Sequence, residues 1–403
     1  MGGVARRATM MAEVQRKNPQ IPTIVLEAGF AMKQADDLND PGSLWAHEAL
    51  EELGVHAVHT TPADLIRLDH LAQSGKIAGE SSCAYVASDL ERSDRMHFPL
   101  VPYAVRNVRA AQEGAEVRVG ILALSEPSTD ARLPARSVGA DEALRRILPE
   151  VTAKSDVVIL LARLPDAELT RIAGAYPDID AIINGSSKGE GRNLGRIGAT
   201  PVVEAAHSGI SLGTLKLEWD SAGRIRQSIA EQIPLFPMIP ESPRLAALIA
   251  KSRRKANEFA REEARKSPPV AAPSIFAGSK ACRECHEEDH KVWAASRHAR
   301  AVESLKPTGD EFNRKCLSCH VTAFEANRGF VNMVRTPELG NVHCEACHGA
   351  ASEHARSPQT AHPGIGLMQG FRKKVRKEFC LRCHDPENSP GFNFDTYWAK
   401  IAH

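Results

Sequence analysis

Long apolar runs, net charge and widely spread cysteine are what this chain of 403 residues lacks. No run of about eighteen apolar residues occurs, so no integral membrane segment is expected. The formal charge is only +1, which gives no electrostatic reason to expect nucleic acid or an anionic membrane surface as a partner. Eight of the nine cysteines lie beyond residue 281, and Cys83 stands alone before them. Cys83 reads as a small buried hydrophobe, with a reactive thiol the minority reading. The start of the chain has Arg6 and Arg7 but no apolar stretch behind them, so it is not itself an export signal.

The late cysteines fall into one pattern repeated four times: CRECH from Cys282 to His286, CLSCH from Cys316 to His320, CEACH from Cys344 to His348 and CLRCH from Cys380 to His384. Chance would supply such a pentapeptide on the order of 0.01 times per chain. Two cysteines three positions apart can both reach the vinyl groups on one edge of a haem, and the next histidine can swing beneath the iron. The competing reading, zinc knuckles, also uses C-x-x-C pairs but does not call for a histidine after every second cysteine. Four covalently bound haem c groups are therefore expected. Cys282, Cys285, Cys316, Cys319, Cys344, Cys347, Cys380 and Cys383 would form the thioethers, and His286, His320, His348 and His384 would be the proximal iron ligands. Haem c is attached outside the cytoplasm, so a periplasmic or other extracytoplasmic location is expected, with a signal sequence missing from this chain.

A length of 403 residues with 42% hydrophobic and 25% charged residues suits two or three soluble modules. Residues 1–235 read as an α/β domain. Apolar runs bounded by turn residues, such as 117–124, 156–161, 179–184 and 212–219, suit strands buried on both faces. Helical patterns at 44–53 and 140–154 separate them. Residues 236–275 read as a charged amphipathic helix followed by a proline-rich linker. Residues 276–403 read as a mainly helical domain of about 32 residues per haem. So short a chain cannot build a large side-chain core, and the porphyrins are expected to serve as one.

The first domain resembles the metallo-dependent phosphatase domain of 5'-nucleotidases. The resemblance rests on Gly2-Gly3-Val4-Ala5-Arg6-Arg7, Glu27-Ala28-Gly29-Phe30, Thr60-Thr61-Pro62-Ala63, Leu161-Ala162-Arg163-Leu164 and Asn184-Gly185-Ser186-Ser187-Lys188. It implies a layered α/β sandwich. It also implies lost chemistry: Phe30, Thr61, Pro62, Arg163, Ser186 and Lys188 stand where that family places metal-binding Asp, Asn and His. A structural or docking role is the resulting expectation, rather than an active phosphoesterase.

The haem domain resembles the tetrahaem cytochrome c-554 family. The residues that carry this are Trp293-Ala-Ala-Ser296-Arg-His298-Ala299, Gly329-Phe330, Val342 to Gly349 with His354 behind, and Trp398 to His403. The resemblance implies distal iron ligation by His298, His354 and His403. His290 is a further candidate distal ligand, although it shares a helical face with His286 and must serve another haem. His343 and His362 complete the surplus, and Met333 and Met368 are the only methionines nearby. Bis-histidine haems are expected at most sites. The expected function is electron transfer between redox partner proteins, with other copies of this chain left open as partners. An alternative is a redox enzyme with one five-coordinate haem acting on a small nitrogen or sulfur species. A metal-dependent phosphoesterase is the least favoured reading.

Overall fold

The computed structural model describes every residue except 1–2, 30, 33–37, 39–41, 78–80, 110–115, 186–192, 207–208, 221–224, 271–272, 357–372, 386–387 and 403. Expectations on Phe30, Ser186, Ser187, Lys188, His362, Met368 and His403 thus lie outside the described residues. The chain divides into two compact units, Met1–Ile249 and Ala250–His403.

The first unit runs α1 (Val4–Lys17), β1 (Leu26–Glu27), α2 (Gly42–Glu52), β2 (Ala57–His59), α3 (Pro62–Gln73), β3 (Ala84–Val86), β4 (Leu90–Arg92), β5 (Ala104–Arg109), β6 (Glu116–Ser125), β7 (Ala135–Ser137), α4 (Ala140–Lys154), β8 (Val157–Arg163), α5 (Asp166–Ala175), β9 (Ala181–Gly185), β10 (Asn193–Ile197), β11 (Thr200–Ala205), β12 (Ser211–Trp219) and β13 (Ile225–Pro234). Six strands form one sheet in the order β10-β11-β9-β8-β6-β5. Its inner four are parallel, and β10 and β5 close the edges antiparallel. Alternation along β6 and β8 sends Leu122, Leu124 and Leu160 to a core shared with α4 and α5. Ile121, Ala123, Ile159 and Leu161 go to the opposite face, against Ala57 and Val86 of β2 and β3. Both faces are buried, as the unbroken apolar runs imply.

The parallel sheet β1-β2-β3 forms the next layer. Its far side packs Val58, Tyr85 and Ala87 against α1, α2 and α3 through Leu50, Leu65, Leu68 and Met11. The unit is therefore an α/β/β/α sandwich. The β12–β13 ribbon departs from the sequence expectation, because none of its residues is buried. A two-stranded ribbon covers its backbone with one partner and leaves much of each face to solvent.

Helix α6 (Pro243–Lys266) starts in the first unit, where Leu245 is buried. It ends in the second, where Asn257 donates to Glu311 and Arg335 donates to the Arg265 carbonyl. Short helices follow: α7 (Ser279–Cys282), α8 (Glu287–Ala295), α9 (Arg314–His320), α10 (Cys344–His348), α11 (Ser352–Arg356), α12 (Lys373–Cys380) and α13 (Phe394–Trp398). Among the described residues, the buried apolar cluster of this unit is small: Val302, Leu305, Leu317, Val321, Phe330 and Leu339.

Candidate haem centre

Each pentapeptide sits on or at the end of a helix. In the first and fourth, the histidine N–H donates to the carbonyl of the first cysteine, at 2.9 Å for both His286 to Cys282 and His384 to Cys380. That bond closes one helical turn and puts the first cysteine and the histidine on one side. The second motif ends α9 and the third forms α10.

The motifs interlock across the sequence. The thiols of Cys282 and Cys344 are hydrogen-bonded, which raises the pKa of Cys282 above the usual thiol range. Burial, with Cys319 beside it, pushes the Cys383 thiol up to about 12. Cys347 is pushed up to about 11 by burial, with Cys380 nearby. The first motif thus meets the third, the second meets the fourth, and the third meets the fourth. Glu345, inside the third motif, strengthens this: its buried carboxylate accepts from the N–H groups of Ala277, Gly278 and Ala351. It ties the third motif to the backbone just ahead of the first.

Two motif histidines face a second imidazole. The ring centres of His286 and His354 are 6.2 Å apart, and those of His298 and His384 are 6.1 Å apart. A metal between two imidazoles sits about 2 Å from each nitrogen, and a ring centre lies about 1.1 Å farther. The expected separation is then about 6.2 Å, so both pairs fit one bridged iron. His354 Nδ1 is buried without a hydrogen-bond partner. Burial, then the neighbouring His384, holds the pKa of His298 below the usual value, which favours the neutral ring that a metal requires. His384 is held by Ser389 Oγ at 3.1 Å from Nδ1 and by stacking on Phe392 at 4.4 Å.

His320 Nδ1 lies 2.7 Å from the Ala301 carbonyl, a bond that leaves Nε2 to a metal. His343 is different. Its Nδ1 meets Ser279 Oγ at 2.7 Å, its Nε2 meets the Gly340 carbonyl, and its ring stacks on Trp293. Both nitrogens are committed, so His343 holds the local fold. His290 lies in α8 with its ring 5.1 Å from Trp293 and its N–H on the His286 carbonyl. The sequence offers these histidines as candidates but not the contacts between them, because His286 and His354, and His298 and His384, are far apart in the chain.

At the strand ends of the first unit, several side chains bond to nearby backbone and to one another, while His59 Nδ1 and Asp89 Oδ1 are buried without a hydrogen-bond partner. Thr61 caps α3, its hydroxyl accepting from Asp64 N–H while Asp64 accepts from Thr61 N–H. Asn184 gives both ends of its amide to the Leu164 backbone. His59 Nε2 lies 2.9 Å from Ser125 Oγ, and burial lowers its pKa to about 3. Asp89 accepts from Ser125 N–H, and burial raises it to about 7. Gly29, with φ at +101°, packs so closely that a Cβ there would stand 3.1 Å from His59 Nδ1. Among the described residues, no three His, Cys, Asp or Glu converge as a metal-ion cluster.

Comparison with known proteins matches the two halves separately. Residues 281–349 match the family model "Cytochrome c554 and c-prime". Cytochrome c-554 of Nitrosomonas europaea is 31% identical over 147 residues, which is 30% of this chain and 63% of that protein's length. Solved structures align with the α/β part. The 5'-nucleotidase precursor of Thermus thermophilus gives a TM-score of 0.52 at 17% identity, covering 68% of this chain and 56% of the other. The calcineurin-like phosphoesterase YfkN of Bacillus subtilis gives 0.51 at 19%, covering 64% and 91%. Thermus thermophilus sulfate thiohydrolase SoxB gives 0.51 at 16%, covering 62% and 46%. The N-terminal region thus has the calcineurin-like phosphoesterase and 5'-nucleotidase fold, and the C-terminal region is similar to cytochrome c-554.

Proposed function

We propose that this protein is an extracytoplasmic tetrahaem c-type cytochrome that moves electrons between redox partner proteins. The observation that carries the reading is the pair of cross-motif imidazole contacts, each of a size to hold one iron, in a unit with four C-x-x-C-H motifs. Haem c supplies an iron that cycles between ferrous and ferric states. The chain's own residues do the rest. The eight motif cysteines tether the groups, and His286, His320, His348 and His384 are the proximal ligands. His354 serves the iron of His286, and His298 serves that of His384. Two imidazoles per iron favour low potentials relative to a Met/His pair. Contact between cysteines of different motifs holds the tethering points close, which suits passage of electrons from one site to the next. His290 and His403 remain candidates for the other two irons. The α/β unit takes a structural or docking role, since Thr61, Pro62 and Arg163 stand at its strand ends where a metal centre would need carboxylate, amide or imidazole ligands.

One observation favours an enzyme as second reading. Among the described residues, no second imidazole faces His320 as His354 faces His286. An iron held from one side only is open to a small ligand.

The test is spectroscopic. Protein matured in a periplasm should carry four haems per chain. Four low-spin ferric signals and no response to carbon monoxide in the reduced form support pure electron transfer. A high-spin signal with a carbon monoxide adduct moves the enzyme reading forward, and fewer than four haems rejects the tetrahaem reading.

A further inference from the structure

At the second position of the four pentapeptides stand Arg283, Leu317, Glu345 and Leu381. Arg283 and Leu381 face solvent, and Leu317 packs in the small apolar cluster of the unit. Glu345 is buried as deeply as Leu317, at 3% exposure for both. A carboxylate taken out of water to that degree has to be hydrogen-bonded in place. Its donors are backbone groups. Oε2 accepts from Gly278 N–H at 2.7 Å, and Oε1 accepts from Ala277 N–H and Ala351 N–H, both at 2.8 Å.

These donors come from the lead-ins to two imidazoles. Gly278 precedes α7, which ends at Cys282, and the Cys282 carbonyl receives His286 N–H in the turn that presents the His286 ring. Ala351 precedes α11, and its carbonyl receives Ala355 N–H across the helical turn that contains His354. One oxygen, Oε1, therefore joins the backbone ahead of His286 to the backbone ahead of His354. Ser352 N–H donates to the Ile275 carbonyl at 3.0 Å alongside it. The geometry points to Glu345 as a positioning residue that sets the 6.2 Å separation of the His286 and His354 ring centres, and so keeps both imidazoles on one iron. This inference rests on the reading of those two histidines as ligands of a shared haem. The role needs both reach and two accepting oxygens. Aspartate is one carbon shorter, and glutamine must turn an amide NH2, which cannot accept, toward one of the three N–H groups.

The test uses the full chain matured with haem, as Glu345→Ala, Glu345→Gln, His354→Ala and the double variant of Glu345→Ala with His354→Ala. Glu345→Ala should give the high-spin, carbon monoxide-binding signal of His354→Ala on one haem per chain, and the double variant should give no more than either single change. Glu345→Gln should fall between Glu345→Ala and the parent protein. Parental low-spin signals in Glu345→Ala, or loss spread over several haems, overturns the assignment. Should Glu345→Ala not mature, a change in Glu345→Gln confined to the haem that His354→Ala opens agrees, and a parental spectrum overturns it. Hydrogen exchange separates positioning from ligation. Amides 351–356 should exchange at least about tenfold faster in the Glu345 variants, and unchanged exchange overturns the positioning role whatever the spectra show. A His354→Ala protein that opens no iron rejects the shared-iron reading alone, since the exchange result still decides whether Glu345 holds the two segments.

Discussion

His354 and His298 each face a motif histidine far away in sequence, and replacing either has a readable outcome. His354→Ala and His298→Ala should each convert one haem of the set to a high-spin, carbon monoxide-reactive form, seen by EPR and in the reduced optical spectrum. His343→Ala should convert none, because both of its nitrogens are already bonded to Ser279 and Gly340. In the first unit, Asp89 is held protonated up to about pH 7 by burial. Its folded pKa lies above its unfolded one, so the folded state keeps a proton that the unfolded state has released. Stability is then full below about pH 4 and falls as pH rises to about 7. Asp89→Asn should remove that loss, worth about 4 kcal/mol at most, and chemical denaturation at pH 5 and pH 8 would measure it. His59 has the opposite sign, since its lowered pKa weakens the fold as acid protonates the unfolded chain. At this scale the C-x-x-C-H spacing was legible because it is local. The contacts of His286 with His354 and of His298 with His384 were not, because they depend on how the motifs come together.

Among elements, α3 shows how the first unit spends its strand ends. Pro62 at its first position, Thr61 at its cap and Asp64 in the reciprocal bond form a helix start that closes on itself. Thr61→Ala should cost about 1 kcal/mol, with a range of roughly 0.5–2, and thermal melting of the α/β unit would read it. The runs 117–124 and 156–161 announced β6 and β8 because a strand buried on both faces leaves a continuous apolar record. The short strands β3, β4 and β7 left none, as three residues are too few for a period. Helix α1 was also hidden: its Gly3-Val-Ala-Arg-Arg start reads as a family stretch, and its helical form is fixed by packing Ala5, Ala8 and Met11 into the core.

For the whole molecule, the contrast between units sets an expectation for the haem-free chain. Among the described residues, the first unit has three extended apolar clusters and the second has one small cluster. Protein made without haem attachment should keep the α/β unit folded and lose the second to protease, which limited proteolysis with mass mapping would show. Survival of residues 276–403 without haem would contradict the idea that the cofactors form its core. Two modules were legible from composition and motifs. The division within α6 was not, since its amphipathic pattern runs unbroken through the point where the chain passes from one unit to the other. The cross-motif pairing also bears on the order of events in a chain that emerges from its N-terminus. His286 arrives early but its opposite imidazole, His354, follows the third motif, and His298 must wait for His384 in the fourth. On the proposed reading, a chain that has emerged only as far as the third motif holds neither His354 nor His384, so both imidazole pairs wait for the part of the chain beyond that motif. A nonsense truncation after the third motif should therefore leave both His286 and His298 without the imidazole each faces, and one after His354 should restore the first pair alone.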